Sequence, residues 1–163
     1  MRLGAPAPLL AEHDLESFSC GQASLDEWLR RRALPNQKAG ASRTYVVAEG
    51  ERVVAYYALA SGALACVEAT GKLRRNMPDP IPMVILGRLA IDRSHQGQGL
   101  GRALFRDAAL RVLSAADVIG VRGLLVQAIS DEGAAFYQAL GLEPSVSEPR
   151  TLMVPLADLR AAL

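Results

Sequence analysis

The chain has 163 residues, of which 50% are hydrophobic and 21% charged, and its formal net charge is +1. This balance excludes an intrinsically disordered protein, and the length suits one domain with its own core. The nearly neutral average gives no support to general nucleic-acid binding, so any basic surface must be local.

The first predicted element is a helix from about Ser24 to Leu34. Ser24 and Glu27 form a capping-box pattern, and the apolar residues that follow fall on one helical stripe. Pro35 and Gly40 then predict its end.

Three predicted strands follow the helix. Residues 43–49 and 52–61 are rich in β-branched and aromatic residues and are separated by Gly50-Glu51, which predicts an antiparallel hairpin. Residues 63–69 either extend the second strand or follow it. The basic, proline-rich residues 71–82 predict a loop, and residues 83–92, apolar apart from Arg88, predict a central strand.

The second half alternates helices and strands. A long helix follows the central strand, and its buried side is predicted to carry Leu104, Phe105, Ala108, Ala109, Val112, Ala116 and Ile119. Residues 123–130 predict a strand, residues 131–140 a short helix stopped by Gly141, and residues 151–156 a last strand. No repeat or linker divides the chain, so we expect a single mixed α/β domain over residues 1–163.

Cys20 and Cys66 are far apart, with no CxxC pair and no histidine at metal-ligand spacing, which predicts reduced thiols and no metal site. His13 and His95 accompany no serine or cysteine motif, so we assign neither a catalytic role. The N-terminal segment lacks the apolar run of a signal peptide, and no stretch approaches the roughly 20 apolar residues of a membrane span. These features predict a cytoplasmic protein with no membrane association.

Three alternate glycines, Gly97, Gly99 and Gly101, stand between the central strand and the long helix. The first backbone N–H groups of a helix have no intrahelical partner, and glycines let an anion approach them, so a phosphate or pyrophosphate is the natural ligand. The spacing excludes two common phosphate loops. A Walker loop needs Lys and then Ser or Thr after its last glycine, but Arg102 and Ala103 stand there. A dinucleotide fingerprint needs GxGxxG, whereas the three glycines here give GxGxG.

The pattern Q-x-x-G-x-G, from Gln96 to Gly101, resembles that of the GCN5-related N-acetyltransferases, the GNAT family, where this turn holds the pyrophosphate of acetyl-CoA. The later FYQALGLEP resembles the family's second cofactor-binding segment. Together with CGQASLDEWL (20–29) and LGRLAIDRSHQGQGLGRAL, these motifs are similar to the acetyltransferase toxins of bacterial toxin–antitoxin pairs, the TacT and AtaT group. The resemblance runs from Cys20 to Leu159.

The resemblance implies the GNAT acyl-CoA N-acyltransferase fold, a mixed, mostly antiparallel sheet splayed at its middle strands and flanked by helices. It implies transfer of acetyl from acetyl-CoA to the α-amino group of aminoacyl-tRNA, which blocks translation. It also implies a ribbon-helix-helix antitoxin of the DUF1778-like kind, and a homodimer.

The same resemblance implies the site residues. Tyr137 is the expected proton donor to the coenzyme A thiolate, and the backbone of Leu89, Ala90 and Ile91 is expected to pair with the pantetheine arm. The expected pyrophosphate ligands are Gln96, Gly97, Gln98, Gly99, Leu100, Gly101 and Arg102. If the acceptor is a tRNA, the candidates for its phosphates are Arg30, Arg31, Lys38, Arg43, Lys72, Arg74 and Arg75.

The central strand lacks the glutamate that many family members use as a base. An α-amino group titrates near 7.7 to 8.0, so it can react without a strong base, whereas a lysine amine, at about 10.4, would be a harder substrate. One alternative is a GNAT enzyme acting on a small amine or a protein N-terminus. Another is a binding module that senses acetyl-CoA or partners a DNA-bound regulator, although the intact turn and Tyr137 favour an enzyme.

Overall fold

The computed structural model describes residues 3–163. The strands are β1 (Ala7–Pro8), β2 (Arg43–Glu49), β3 (Arg52–Leu64), β4 (Ile81–Ile91), β5 (Gly123–Gln127), β6 (Glu143–Pro144) and β7 (Thr151–Pro155). The helices are α1 (Ala23–Trp28), α2 (Leu34–Ala39), α3 (Gly71–Arg74), α4 (Leu100–Ala116), α5 (Asp131–Ala139) and α6 (Leu156–Ala161).

The strands form a sheet in the order β1-β2-β3-β4-β5-β7-β6. The pairs β1/β2, β2/β3, β5/β7 and β6/β7 are antiparallel, and β4 pairs with β5 in parallel. The predicted fold class, a mixed and mostly antiparallel sheet flanked by helices, is confirmed.

The chain divides into two compact units. The first unit comprises residues 3–60 and 87–108, and the second comprises residues 61–86 and 109–163. The chain passes from one unit to the other three times, and each boundary lies within a strand or helix: β3, β4 and α4.

The first unit is built on the predicted β2/β3 hairpin, which the structure confirms, with Tyr45 opposite Tyr57 and Val46 opposite Tyr56. Its core gathers apolar side chains from the N-terminal segment, the helices and the strands, because alternate residues of each strand face the same side. The buried members are Leu9, Phe18, Leu29, Ala33, Val46, Val53, Tyr56 and Ala90.

The predicted start of the first helix is correct to within one residue, but its cap and its end are wrong. The helix begins at Ala23 after Gln22, and Ser24 does not cap it. It then continues through a π-helical turn, Leu29–Ala33, into α2 and ends at Gly40, whose φ is +82°. In a regular α-helix the Pro35 ring would clash with the carbonyl four residues earlier, and proline has no N–H to donate to that carbonyl. The wider π turn before Pro35 accommodates the proline.

The second unit packs β4, β5 and β7 around a separate core. Its buried members are Leu64, Ala69, Leu73, Ile81, Met83, Leu125 and Met153. Within the predicted loop 71–82 the structure forms the short helix α3, and Ile81 and Pro82 already belong to β4. Leu73 drives this local order, because it is fully buried between exposed basic neighbours.

The long helix α4 ends at Ala116, earlier than predicted. Five of the seven residues expected on its inner side are buried, but Ile119 lies beyond the helix end and is 61% exposed. Its assignment to the core is therefore wrong. The short strands β1 and β6 and the C-terminal helix α6 were not predicted, because two-residue strands and a six-residue helix leave little periodicity to detect.

Candidate active site

The glycine turn lies between β4 and α4 in the first unit. Gly97 and Gly99 have φ values of +77° and +78°, a conformation that side chains other than glycine rarely adopt. A Cβ atom added at either position would meet no protein atom within 4 Å. The backbone here is therefore both left-handed and open to an approaching ligand.

The N-terminus of α4 supplies the donors at this turn. The N–H of Ala103 bonds to the carbonyl of Gly99 at 3.3 Å, so the helical ladder starts at Gly99. The N–H groups of Leu100, Gly101 and Arg102 precede that bond and have no intrahelical acceptor. With the helix dipole and the exposed Arg102, they make a site suited to a phosphate group.

The side chain of Gln96 holds the turn. Its Nε2 donates to the carbonyls of Cys20, at 2.8 Å, and Ile91, at 2.9 Å. Both amide protons are thus bonded within the protein, which leaves the backbone of Gln96 as its means of contacting a pyrophosphate. That contact stays a prediction.

Asp92, directly after β4, joins the turn to the N-terminal segment. Its carboxylate accepts hydrogen bonds from the N–H of Ser19 (2.8 Å) and from the N–H (3.0 Å) and hydroxyl (2.6 Å) of Ser94, and it pairs with Arg52 at 3.2 Å. Burial acts to raise the pKa of Asp92, but these hydrogen bonds and the Arg52 charge outweigh it and lower the pKa. Asp92 is therefore an ionised, buried support of the turn.

Both histidines make local structural contacts. His95 Nε2 lies 3.4 Å from Glu49, and its Nδ1 lies 2.7 Å from the hydroxyl of Ser94. His13 Nδ1 accepts the N–H of Leu10 at 2.9 Å. Ser94 donates its hydroxyl proton to Asp92 at 2.6 Å, so His95 does not serve that hydroxyl as a base, and His13 has no hydroxyl or thiol partner among residues 3–163.

The last residues of β4 are those expected to pair with pantetheine. The parallel register of β4 with β5 ends at Leu86, and β4 continues to Ile91. Ala90 points into the core of the first unit, whereas Leu89 and Ile91 are only half-buried. The stretch Leu89–Ile91 therefore lies beyond the part of β4 that pairs with β5, so an extended ligand can be added on that side of the strand.

Arg88, the polar exception in β4, belongs to an aromatic stack that was not predicted as part of the site. Its guanidinium carbon lies 4.4 Å from the centroid of the Trp28 ring, and Trp28 stacks on Tyr56 with centroids 6.1 Å apart and an interplanar angle of 9°. The signal was a single arginine in an otherwise apolar strand. A cation there requires a partner, and Trp28 is one.

Tyr137 lies on α5 in the second unit. Ser130 caps this helix by accepting the N–H of Gly133 at 3.0 Å. Tyr137 is only 7% exposed, and Phe136 packs edge-on against its ring at 5.1 Å. Burial raises the pKa of Tyr137 above its ordinary value, so the phenol keeps its proton at neutral pH.

The basic candidates of the first unit divide by exposure. Arg31, Lys38 and Arg43 are exposed. Arg30 is half-buried and donates from Nη1 to the carbonyl of Phe18 at 2.8 Å, so part of its side chain is committed to the fold.

The basic segment of the second unit is Gly71–Arg75. Lys72 Nζ lies 2.5 Å from Asp158, and that hydrogen bond raises the pKa of Lys72. Arg74 and Arg75 are exposed, and in residues 3–163 no ion pair to either is formed. These two arginines are the better placed of the three to contact a phosphate.

Arg122 fixes the basic segment and was not predicted. Its Nε donates to the carbonyl of Leu73 at 2.9 Å, and its Nη2 to that of Lys72 at 3.1 Å. A cation at the end of a helix satisfies carbonyls that lack intrahelical donors. Only its place between two apolar stretches hinted at such a role.

Both cysteines are free thiols. Burial, with Asp26 nearby, raises the pKa of Cys20 to about 11, so its thiol is protonated and a poor nucleophile. Within residues 3–163, no three His, Cys, Asp or Glu side chains gather as metal ligands. Over the same residues, none of the helices combines the length and apolar character needed to cross a membrane.

Known proteins resemble this chain over most of its length. The family model "Acetyltransferase (GNAT) domain" matches residues 40–144. The chain is 49% identical over 159 residues to the "tRNA-acetylating toxin" of Mycobacterium tuberculosis (strain ATCC 25618 / H37Rv), covering 98% of this chain and 96% of that protein.

Two solved structures extend the likeness to the fold. AtaT complexed with acetyl-methionyl-tRNAfMet matches with a TM-score of 0.89 and 30% identity, covering 98% of both chains. A mutant AtaT toxin bound to the C-terminus of the antitoxin AtaR and acetyl-CoA matches with a TM-score of 0.84 and 32% identity, covering 99% of this chain and 97% of that one. The chain therefore belongs to the GNAT family of acetyltransferases.

Proposed function

We propose that this chain transfers acetyl from acetyl-CoA to the α-amino group of aminoacyl-tRNA and thereby blocks translation. The main support for aminoacyl-tRNA as the acceptor is the similarity to a tRNA-acetylating toxin, which is 49% identical and matches 98% of this chain. The glycine turn, with its open left-handed backbone, supports the acetyl donor.

Acetyl-CoA is held by backbone groups in this proposal. The pyrophosphate takes the N–H groups from Gly97 to Arg102, with the guanidinium of Arg102 adding charge. Gln96 acts by fastening the turn to Cys20 and Ile91. The pantetheine arm pairs with Leu89–Ile91, which places a backbone N–H at the thioester carbonyl to stabilise the oxyanion.

The acceptor amine attacks in its neutral form. β4 contains no aspartate or glutamate to serve as a base. An α-amino group near pKa 7.7 to 8.0 is partly neutral at physiological pH, and the neighbouring ester lowers that pKa further and increases the neutral fraction. The absence of a carboxylate on β4 therefore favours an aminoacyl ester over a lysine side chain.

Tyr137 is the proposed general acid. As the tetrahedral intermediate collapses, the C–S bond breaks and the thiolate of coenzyme A takes the phenolic proton. The buried, protonated state of Tyr137 supports this role, because an acid must hold its proton at the working pH.

The tRNA is held through its phosphates by local basic residues. Arg74 and Arg75, exposed on the segment that Arg122 fixes, are the strongest candidates, and Arg31, Lys38 and Arg43 are the candidates of the first unit. Arg30 and Lys72 contribute less, because each already has a partner in the protein.

A cognate antitoxin completes the proposal. The AtaT structures with the C-terminus of AtaR support an antitoxin that binds the toxin directly. We assign the ribbon-helix-helix, DUF1778-like class and a homodimeric toxin to this chain on the family resemblance, and a cytoplasmic location because its substrate is there.

The test is transfer of labelled acetyl from acetyl-CoA to a mixture of charged tRNAs, with uncharged tRNA as the control. We expect label on charged tRNA only. If neither charged nor uncharged tRNA is labelled while acetyl-CoA still binds, aminoacyl-tRNA is not the acceptor. Small amines and protein N-termini would then be the acceptors to test. Expression of the chain alone should also arrest growth, and co-expression of the antitoxin encoded beside it should restore growth.

A further inference from the structure

Arg88 lies on the same strand as the residues expected to hold the acetyl donor. It precedes Leu89, and alternation along β4 places it on the face shared with the core residue Ala90. Leu89 and Ile91 face the opposite side. Arg88 is half-buried, so its charge is only partly hydrated.

The guanidinium is held in a fixed position by the aromatic stack. The Trp28 ring contacts both the Arg88 guanidinium, whose central carbon lies 4.4 Å from the ring centroid, and the ring of Tyr56, whose centroid lies 6.1 Å away. Tyr56 is fully buried, packs edge-on against Phe18 at 5.5 Å, and donates its hydroxyl proton to the carbonyl of Leu25 at 2.7 Å. The base of the stack cannot shift without disturbing the core, so Trp28 presents Arg88 in one orientation.

The charge of Arg88 has no carboxylate partner in the part of the chain that is described. Across residues 3–163 its guanidinium forms neither an ion pair nor a hydrogen bond. Asp26, two residues before Trp28 on α1, already accepts the N–H of Cys20 at 2.9 Å. A half-buried guanidinium stacked on one face keeps its in-plane donors for an anion.

The direction of acetyl-CoA along β4 identifies the source of that anion. With the pyrophosphate at Gly97–Arg102 and the pantetheine arm beside Leu89–Ile91, the thioester end of the molecule reaches the level of Arg88. That end of acetyl-CoA is uncharged. An anion at Arg88 must therefore come with the acceptor.

We propose that Arg88, oriented by Trp28, binds a backbone phosphate of the single-stranded end of the aminoacyl-tRNA, next to the esterified nucleotide. This inference rests on the proposed function, because it assigns a binding residue to the same acceptor. The planar guanidinium fork suits a phosphate, and a contact beside the ester would align the α-amine with the thioester carbonyl. Trp28 is a positioning residue, because it acts through Arg88.

The experiment compares Arg88→Met and Arg88→Lys with Arg160→Met, which removes an exposed arginine from α6 as a matched control. For each, kcat/KM on charged tRNA is measured across a range of salt concentrations, together with the acetyl-CoA Kd and the melting temperature. We expect Arg88→Met to lower kcat/KM about tenfold and to reduce the slope of log kcat/KM against log salt by about 0.7, the value for one single-strand phosphate contact. Arg88→Lys should keep most of the salt slope, and Arg160→Met should match the wild type.

A second variant tests the role of Trp28. Trp28→Leu should lower kcat/KM by less than Arg88→Met, and the double variant should be no worse than Arg88→Met alone, because the stack acts through the guanidinium. An unchanged salt slope in Arg88→Met, or a weakened acetyl-CoA Kd, would overturn the inference and leave the proposed function standing. Failure of the wild type to acetylate charged tRNA would overturn both.

Discussion

The two units use their polar groups in different ways. In the first unit, the side chains around the glycine turn bond to the protein: Gln96 to Cys20 and Ile91, and Asp92 to Ser19, Ser94 and Arg52. The backbone of the turn is then left for the pyrophosphate that we propose binds there. In the second unit, the candidates are side chains themselves, namely the buried phenol of Tyr137 and the exposed guanidiniums of Arg74 and Arg75.

This difference predicts different consequences of substitution. A change near the turn should act through stability or through acetyl-CoA binding, because the altered side chain supports the backbone. A change at Tyr137 or Arg74 should act on the reaction or on tRNA and leave folding nearly intact.

The largest expected effect is that of Tyr137→Phe. Loss of a general acid typically costs about 10²- to 10⁴-fold, so kcat for acetyl transfer to charged tRNA should fall at least about a hundredfold. The acetyl-CoA Kd and the melting temperature should stay near the wild-type values, because only one oxygen is removed. Single-turnover transfer and calorimetric titration measure the two quantities.

Tyr45→Phe, on a half-buried tyrosine of β2, is the matched control and should keep its activity. Because burial raises the pKa of Tyr137, the rate should rise as the substrate amine loses its proton and should not decline up to about pH 10. A normal kcat in Tyr137→Phe would show that Tyr137 is not the general acid. A large drop in melting temperature together with the loss of activity would show that Tyr137 acts on folding, as the side chains of the first unit do.

Asp92→Asn should lower the free energy of unfolding by about 1.5–3 kcal/mol, because hydrogen bonds to a buried carboxylate are replaced by mismatched amide contacts. The folded-state pKa of Asp92 is lowered, so its ionised form stabilises the protein above the ordinary aspartate pKa and this contribution is lost as pH falls through the folded pKa. Urea unfolding between pH 3 and pH 7 should therefore show the wild type and the variant converging at the acidic end. A constant difference would mean that the charge is not the source of the stability.

Gly99→Ala should raise the acetyl-CoA Kd about tenfold. A side chain at φ +78° is strained by about 1–2 kcal/mol, and its Cβ would occupy the open surface proposed for the pyrophosphate. Gly120→Ala is the matched control, since Gly120 has neither a positive φ nor an atom within 4 Å of its added Cβ. Equal effects of the two variants would argue that the turn does not bind the donor.

Much of the fold was predictable where a local pattern decides the structure. The β2 bounds match the prediction at both ends, the β2/β3 hairpin was expected, and the glycine turn lies where its spacing placed it, because alternation and turn chemistry act over a few residues. The helix through Pro35 was not predictable in this way. Its continuation depends on a π turn whose buried residues, Leu29 and Ala33, are fixed by tertiary packing.

The candidate site shows the same division. The positions of the turn and Tyr137 came from short motifs, whereas the roles of Gln96, Asp92 and Arg88 depend on partners distant in the sequence. Arg88 meets Trp28 across 60 positions, and Asp92 meets Ser19 across 73. The sequence also does not reveal which member of a basic cluster is already paired, as Lys72 is with Asp158.

The smallest expected effects come from substitutions in the basic segment, and they test which of its residues are free to contact tRNA. Arg74→Glu with Arg75→Glu should lower kcat/KM on charged tRNA roughly fivefold and reduce its salt slope by about 1–2, while acetyl-CoA binds normally. Lys72→Gln should change kcat/KM by less than about twofold, because its ammonium is held by Asp158. Asp158→Asn is the converse variant, which should free Lys72 and steepen the salt slope. If Asp158→Asn leaves the slope unchanged but Lys72→Gln reduces it, then Lys72 leaves Asp158 to contact the substrate in the wild type.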